Sequence, residues 1–226
     1  MSTREQFIRS VTKALGRSTV EKPQGMSYRH SVHREVLQEL NPEQLARVFI
    51  DYSKTIGVDV FETTKSELGL TIIQAVNTCS SGDIVIADDP LLNEIEATRL
   101  FKEANARVWD IGGTWEDNVD FAEKATVGIA VAKMALAESA TVLLFSHGGS
   151  GRSVTLLPES TIYIIPKSVI KPRLTQGMDC VRDHKDELPS SVNFVSGPSA
   201  TSDIELVRVV GVHGPVHVVH LVVHDL

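Results

Sequence analysis

The second two-thirds of this chain constrain it most, because short runs of β-branched and aliphatic residues alternate there with turn-forming and helical stretches. The runs fall at 84–87, 107–111, 127–130, 141–146, 161–165, 192–195, 205–212 and 217–223, each about the length of one strand. Helical spacing lies between some of them, at 91–104 and 169–188. That alternation predicts an α/β fold, a mostly parallel sheet covered by helices on both faces. Such sheets bind ligands at the carboxyl ends of their strands. The apolar run 127–146 fits either a buried helix or two buried strands. Two strands with a turn around Glu138-Ser139-Ala140 are the expectation.

The first third reads as helices. Phe7, Ile8, Val11 and Leu15 share one helical face, and Gly16 stops that helix. Residues 17–30 have no clear period and include Pro23 and Gly25, which makes them an arm, either a surface tether or a partner-binding segment. Asn41, Pro42 and Gln44 form the start signal of the next helix, whose stripe is Leu45, Val48, Phe49, Tyr52 and Ile56 and whose stop is Gly57. Thr64 and Glu67 predict a second capping box ahead of Leu68, Ile72, Ala75, Val76 and Cys79. With 226 residues, no long linker and no repeat, the reading is an N-terminal helix and arm, 1–30, followed by one α/β domain, 31–226.

The net charge of −7 and a pI near 5.6 argue against a binder of nucleic-acid backbones. The N-terminus alternates charged and apolar residues, unlike a signal peptide, and Lys133 and Glu138 interrupt the most apolar stretch, 126–145. A soluble, cytoplasmic protein is expected. Its two cysteines, Cys79 and Cys180, are too few for an iron–sulfur cluster, so any cluster belongs to a partner and this chain binds no cofactor. Cys79, at the end of an apolar helical face, reads as a core residue.

Three loops carry candidate chemistry. Ser146-His147-Gly148-Gly149-Ser150-Gly151-Arg152 follows a strand; Gly149 and Gly151 free backbone N–H groups for an anion, and Arg152 adds a bidentate donor. An ordinary glycine turn is the competing reading. Gly197, Ser199, Thr201 and Asp203, within Ser196-Gly197-Pro198-Ser199-Ala200-Thr201-Ser202-Asp203-Ile204-Glu205, offer hydroxyls and amides to a carboxylate or phosphate, or make a capped turn. His213, in Gly211-Val212-His213-Gly214-Pro215, is a candidate for acid–base work. Strand alternation puts His220 and His224 on one face and His217 on the other, which is no metal cluster, so no metal is expected. Glu138 is the second candidate for acid–base work; it either meets Arg152 or another donor, or sits at a solvent-open rim.

These loops resemble the lactate-utilisation protein C family of the wider LUD (lactate-utilisation) domain group. The likeness rests on Ala14-Leu15-Gly16-Arg17, Val127-Gly128-Ile129, Ala135-Leu136-Ala137-Glu138, Arg152 with Leu156-Leu157-Pro158, and the two motifs ending at Glu205 and Pro215. It implies a three-layer α/β/α fold like that of the glucosamine-phosphate isomerase, ribose-phosphate isomerase and CoA-transferase group. It also implies a role in oxidising L-lactate to pyruvate beside two iron–sulfur partner proteins, as the component without a cluster. The chain departs from the family at Ser139-Ala140, where Thr-Gly is usual, and at Thr161-Ile162-Tyr163, where a histidine is usual. From a different class, a stand-alone transferase or ligase acting on a phosphorylated, CoA-linked or folate-like substrate, or a pure scaffold, would share the fold. If all the loops follow parallel strands, Arg152, Ser199, Thr201 and His213 converge on one cleft.

Overall fold

A computed structural model describes residues 3–20, 25–27, 29–101, 105–203 and 205–226. It divides the chain into two compact units, Met1–Val32 and His33–Leu226. Pro23, Ile204 and the tail of the helical stretch expected at 91–104 lie wholly or partly outside the described residues. The first unit carries α1 (Thr3–Ala14), none of whose residues is buried. A single helical turn, α2 (Val32–Glu35), follows it in sequence.

In the second unit, α3 (Pro42–Thr55) begins where its cap predicts. The Asn41 side chain accepts from the Gln44 N–H at 2.9 Å, and the Gln44 side chain accepts from the Asn41 N–H at 2.9 Å. Its buried face, Leu45, Ala46, Phe49, Ile50 and Ser53, is rotated from the expected stripe and leaves Tyr52 exposed. The turn after it leads into β1 (Asp59–Thr63), a strand the sequence reading lacks. The capping box expected at Thr64 does not form. Thr64 Oγ1 bonds Ser66 Oγ instead, a 3-10 turn occupies Lys65–Glu67, and α4 (Leu68–Val76) starts after it.

The remaining elements are β2 (Ile84–Ile86), α5 (Pro90–Glu94), β3 (Ala106–Val108), α6 (Trp115–Lys124), β4 (Val127–Val131), β5 (Met134–Leu136), β6 (Thr141–Phe145) and α7 (Ser153–Leu156). They are followed by β7 (Ser160–Pro166), β8 (Ile170–Lys171), α8 (Leu174–Asp183), β9 (Val192–Ser196), β10 (Ala200–Thr201), β11 (Val209–Val210) and β12 (His217–Val223). The helix expected over 169–188 is thus a two-residue strand and the shorter α8, and the strand expected over 205–212 contracts to β11.

The expected strands do not all join one sheet. Six form a wholly parallel sheet in the order β1-β12-β7-β4-β2-β3, and four form a second sheet, β8-β5-β6-β9. The apolar run resolves into strands, with the Glu138-Ser139-Ala140 turn where expected. It changes sheets partway: the Ala132 N–H still donates to Ile164 O at 2.8 Å, whereas the next, Lys133, donates to Leu143 O at 3.0 Å. One face of the main sheet, with Ile84, Ile129, Ile162 and Leu221, packs against Leu68, Ile72 and Ala75 of α4 and Ala122 of α6. The other face, with Tyr163, Ile165, Val218 and Val222, is covered by α3 and the second sheet. Each fully buried Ile, Leu or Phe contributes about 1.5–3 kcal/mol. Gly128 lets α7 settle on the sheet, since a Cβ there would stand 1.9 Å from Val154 O. Among the described residues no helix is long and apolar enough to cross a membrane.

Candidate functional site

The carboxyl end of β3, the start of α6 and the glycine-rich turn after β6 enclose a cleft of about 630 Å³ lined by Trp109, Asp110, Trp115, His147, Arg152 and Ser191, among others. The turn is held by paired backbone bonds between His147 and Ser150 at 3.0 and 3.1 Å. Its glycines serve close packing. A Cβ on Gly149 would meet Asp88 O at 2.8 Å, where the Asp88 N–H donates to Gly149 O, and a Cβ on Gly151 would meet the Trp109 ring at 2.7 Å. The turn is thereby fixed to the ends of two parallel strands.

Two side chains, beside the Asp110 carboxylate, give this cleft donors for an anion. His147 Nδ1 accepts from the Gly149 N–H at 3.1 Å, so a neutral ring carries its hydrogen on Nε2 and is a donor there. Arg152 is exposed, and its guanidinium makes no hydrogen bond or ion pair among the described residues. Beside them α6 begins at Trp115, capped by Thr114 accepting from the Asp117 N–H at 3.1 Å. A charged fork, an imidazole donor and serine hydroxyls are equipped to hold a carboxylate or phosphate.

The other predicted residues gather elsewhere. β10 and β11 pair antiparallel, the Ser199 N–H donates to Pro215 O at 2.9 Å, and the Gly211 N–H donates to Ser199 O at 2.8 Å. The two motifs therefore meet, and Gly197, Ser199, Arg208 and His213 line a second pocket of about 410 Å³ over Tyr163. Thr201 Oγ1 accepts locally from the Asp203 N–H at 3.2 Å. This pocket lies toward the amino ends of β7 and β12, and Arg152 is not among its walls. The expected single cleft is thus two, because β9 runs antiparallel in the second sheet and the His213 loop precedes β12 instead of following a parallel strand.

Glu138 stands apart from both. It pairs with Arg173, not Arg152, and both side chains are partly exposed. Ala140 takes the left-handed conformation, φ 47°, that favours glycine, so the turn forms here without one.

Sequence reasoning missed Trp109, Trp115 and Ser191. The available signal was Trp109-Asp110-Ile111-Gly112-Gly113-Thr114, a strand end running into a capped helix, which is where a parallel sheet presents its ligand edge.

The sequence model of the LUD domain matches residues 35–223. The chain belongs to the LUD domain family. Lactate utilization protein C 1 of Bacillus mycoides is 36% identical over 231 residues, covering 100% of this chain and 98% of that protein. Lactate utilization protein C of a Geobacillus species is 37% identical over 235 residues, covering 98% and 96%. The resemblance carried by the two loop motifs therefore extends over the whole chain. Among solved structures, a DUF162 family protein from Deinococcus radiodurans superposes with a TM-score of 0.61 at 20% identity, covering 82% of this chain and 99% of that one. That likeness is one of fold. The LUD match includes both pockets and the complete main sheet.

Proposed function

We propose that this LUD protein is a cytoplasmic component of lactate utilisation, the member without a cluster in an iron–sulfur assembly that oxidises L-lactate to pyruvate. Full-length kinship with proteins named lactate utilization protein C carries the reading. The oxidation releases two electrons and two protons, and iron–sulfur partners would take the electrons. Cys79 and Cys180 are both free thiols and far fewer than a cluster needs. The contribution of this chain is to hold a small anion in the carboxyl-edge cleft, with Arg152 facing the carboxylate and His147 Nε2–H donating beside it. Exposed Leu206, Val207, Val210 and Val212 offer partners an apolar surface around the second pocket.

The test is genetic and biochemical together. A strain lacking this chain should fail to grow on L-lactate, in a background without another lactate dehydrogenase, while growing on pyruvate. A pull-down from lactate-grown cells should recover cysteine-rich proteins, and lactate-dependent dye reduction should require this chain. Undiminished growth on lactate, or dye reduction unaffected by its removal, would refute the reading.

A further inference from the structure

Three side chains outside both pockets stand in line at the amino edge of the main sheet. Cys79 follows the last turn of α4, His217 opens β12 and Asp59 opens β1. His217 Nε2 lies 2.9 Å from Asp59 Oδ2, and its Nδ1 lies 3.6 Å from Cys79 Sγ. A carboxylate only accepts, so Nε2 carries the hydrogen and Nδ1 turns its lone pair to the sulfur, whose own hydrogen is directed at Ala75 O, 3.5 Å away, in the resting thiol and must turn to Nδ1 for transfer. Nucleophile, base and orienting group are then in the order that covalent catalysis uses.

The sulfur also has somewhere to act. Cys79 packs against the core as its sequence context suggests but is only half-buried, and it lines a recess of about 740 Å³ with Asn77, Ser80, Ser81 and Gly82. The backbone N–H groups of Ser80, Ser81 and Gly82 donate to no acceptor among the described residues, and they lie next to the sulfur in sequence. Free amides beside a nucleophile are suited to a developing oxyanion.

The geometry points to Cys79 as a nucleophile toward the acyl carbon of an activated ester or thioester, with His217 as its base and Asp59 as a positioning residue. Sγ attacks the acyl carbon while the thiol proton passes to Nδ1. The new S–C bond forms as the bond to the leaving alkoxide or thiolate breaks, and that group departs with the proton from Nδ1. Water then cleaves the S-acyl group, releasing a carboxylic acid and restoring the thiol. Burial pushes the thiol above its usual range; Ser160 and Thr78 oppose this by hydrogen bonding, and the carboxylates of Asp59 and Glu159 reinforce it. The resting sulfur is therefore neutral at pH 7, and its reactivity depends on the base.

Cys180 is the internal control. It is the other free thiol, also half-buried, and its sulfur has no imidazole partner among the described residues; His184 bonds its carbonyl instead. The full chain is treated with p-nitrophenyl acetate, and acetylation at each cysteine is timed by mass spectrometry. Cys79 should react about 100-fold faster than Cys180, the scale of general-base assistance. His217→Gln should remove that advantage. Asp59→Asn should reduce it and change its pH profile, with Asp59→Glu restoring it, while the Cys180 rate stays constant. Equal rates at the two cysteines overturn the assignment, as does a Cys79 rate indifferent to Asp59→Asn. Should His217→Gln disturb folding, seen as a faster Cys180, the Asp59 variants decide alone, because that side chain is largely exposed at a strand start.

Discussion

The two edges of the main sheet have the same strands behind them and opposite chemistry. At the carboxyl edge α6 presents its N-terminus, and the cleft there holds a guanidinium unpaired among the described residues and an imidazole donor. At the amino edge α4 presents its C-terminus, and Asp59, Glu159, Cys79 and His217 gather around it. In a parallel sheet the crossover helices run antiparallel to the strands, so their positive ends collect at one edge and their negative ends at the other. One edge is thereby suited to anions and the other to a proton-accepting relay.

This contrast depends on the strand connecting the edges, and the largest expected effect lies there. In β12, His220 is fully buried, stacked on Phe49 at 5.0 Å, with Nδ1 2.9 Å from the Ser53 hydroxyl. Ser53 donates to Phe49 O, so it accepts from Nδ1–H and leaves Nε2 bare and unpartnered among the described residues. Burial pushes the imidazole down to about 3. Between that value and the ordinary one near 6.5 the unfolded chain binds the proton and the folded chain does not. Stability should be full above pH 6.5 and fall progressively as the pH drops toward 3. Replacing His220 with Leu should flatten that acid limb in urea titrations at several pH values, and an unchanged slope would show that other groups set it.

Next in size is Gly128→Ala. The added methyl meets Val154 O and Pro158, so α7, which lies between the glycine-rich turn and the start of β7, must lift. A loss of about 3 kcal/mol is expected from urea unfolding. Arg152→Ala tests one edge alone. Affinity for pyruvate, read by calorimetry, should fall by roughly 1.5–3 kcal/mol while stability stays within about 0.5 kcal/mol. A parallel fall in Cys79 acetylation would mean that the edges are not independent.

The smallest effect is expected at Glu138. Its pairing with Arg173 is partly exposed, so Glu138→Gln should cost about 0–1 kcal/mol, less at high salt. Neither edge should respond, since Glu138 lines neither pocket. Lost anion binding in this variant would return it to the site.

What could be read in the sequence was what is local. The α3 cap is written in Asn41, Pro42 and Gln44, and the Glu138 turn in a polar interruption of an apolar run. β1 escaped because Asp59 and Glu62 break its pattern, and an edge strand tolerates such residues since only β12 pairs with it. The sheet exchange at Ala132 and Lys133 has no local mark, being decided by which partner each N–H finds. Grouping the loops failed for the same reason: strand order is a long-range property, and the Ser199 loop follows a strand of the second sheet. The glycines at 149 and 151 were legible as special positions but not as packing ones, because Asp88 and Trp109 approach them from distant segments.

The chain has two tryptophans, and both Trp109 and Trp115 line the carboxyl-edge cleft. Trp109 is 8% exposed and Trp115 69%, so one indole emits from an apolar setting and the other from water. Native fluorescence therefore observes one edge of this protein and is blind to the other. A ligand entering beside Arg152 should quench or shift the emission, whereas acylation of Cys79 should leave the spectrum unchanged.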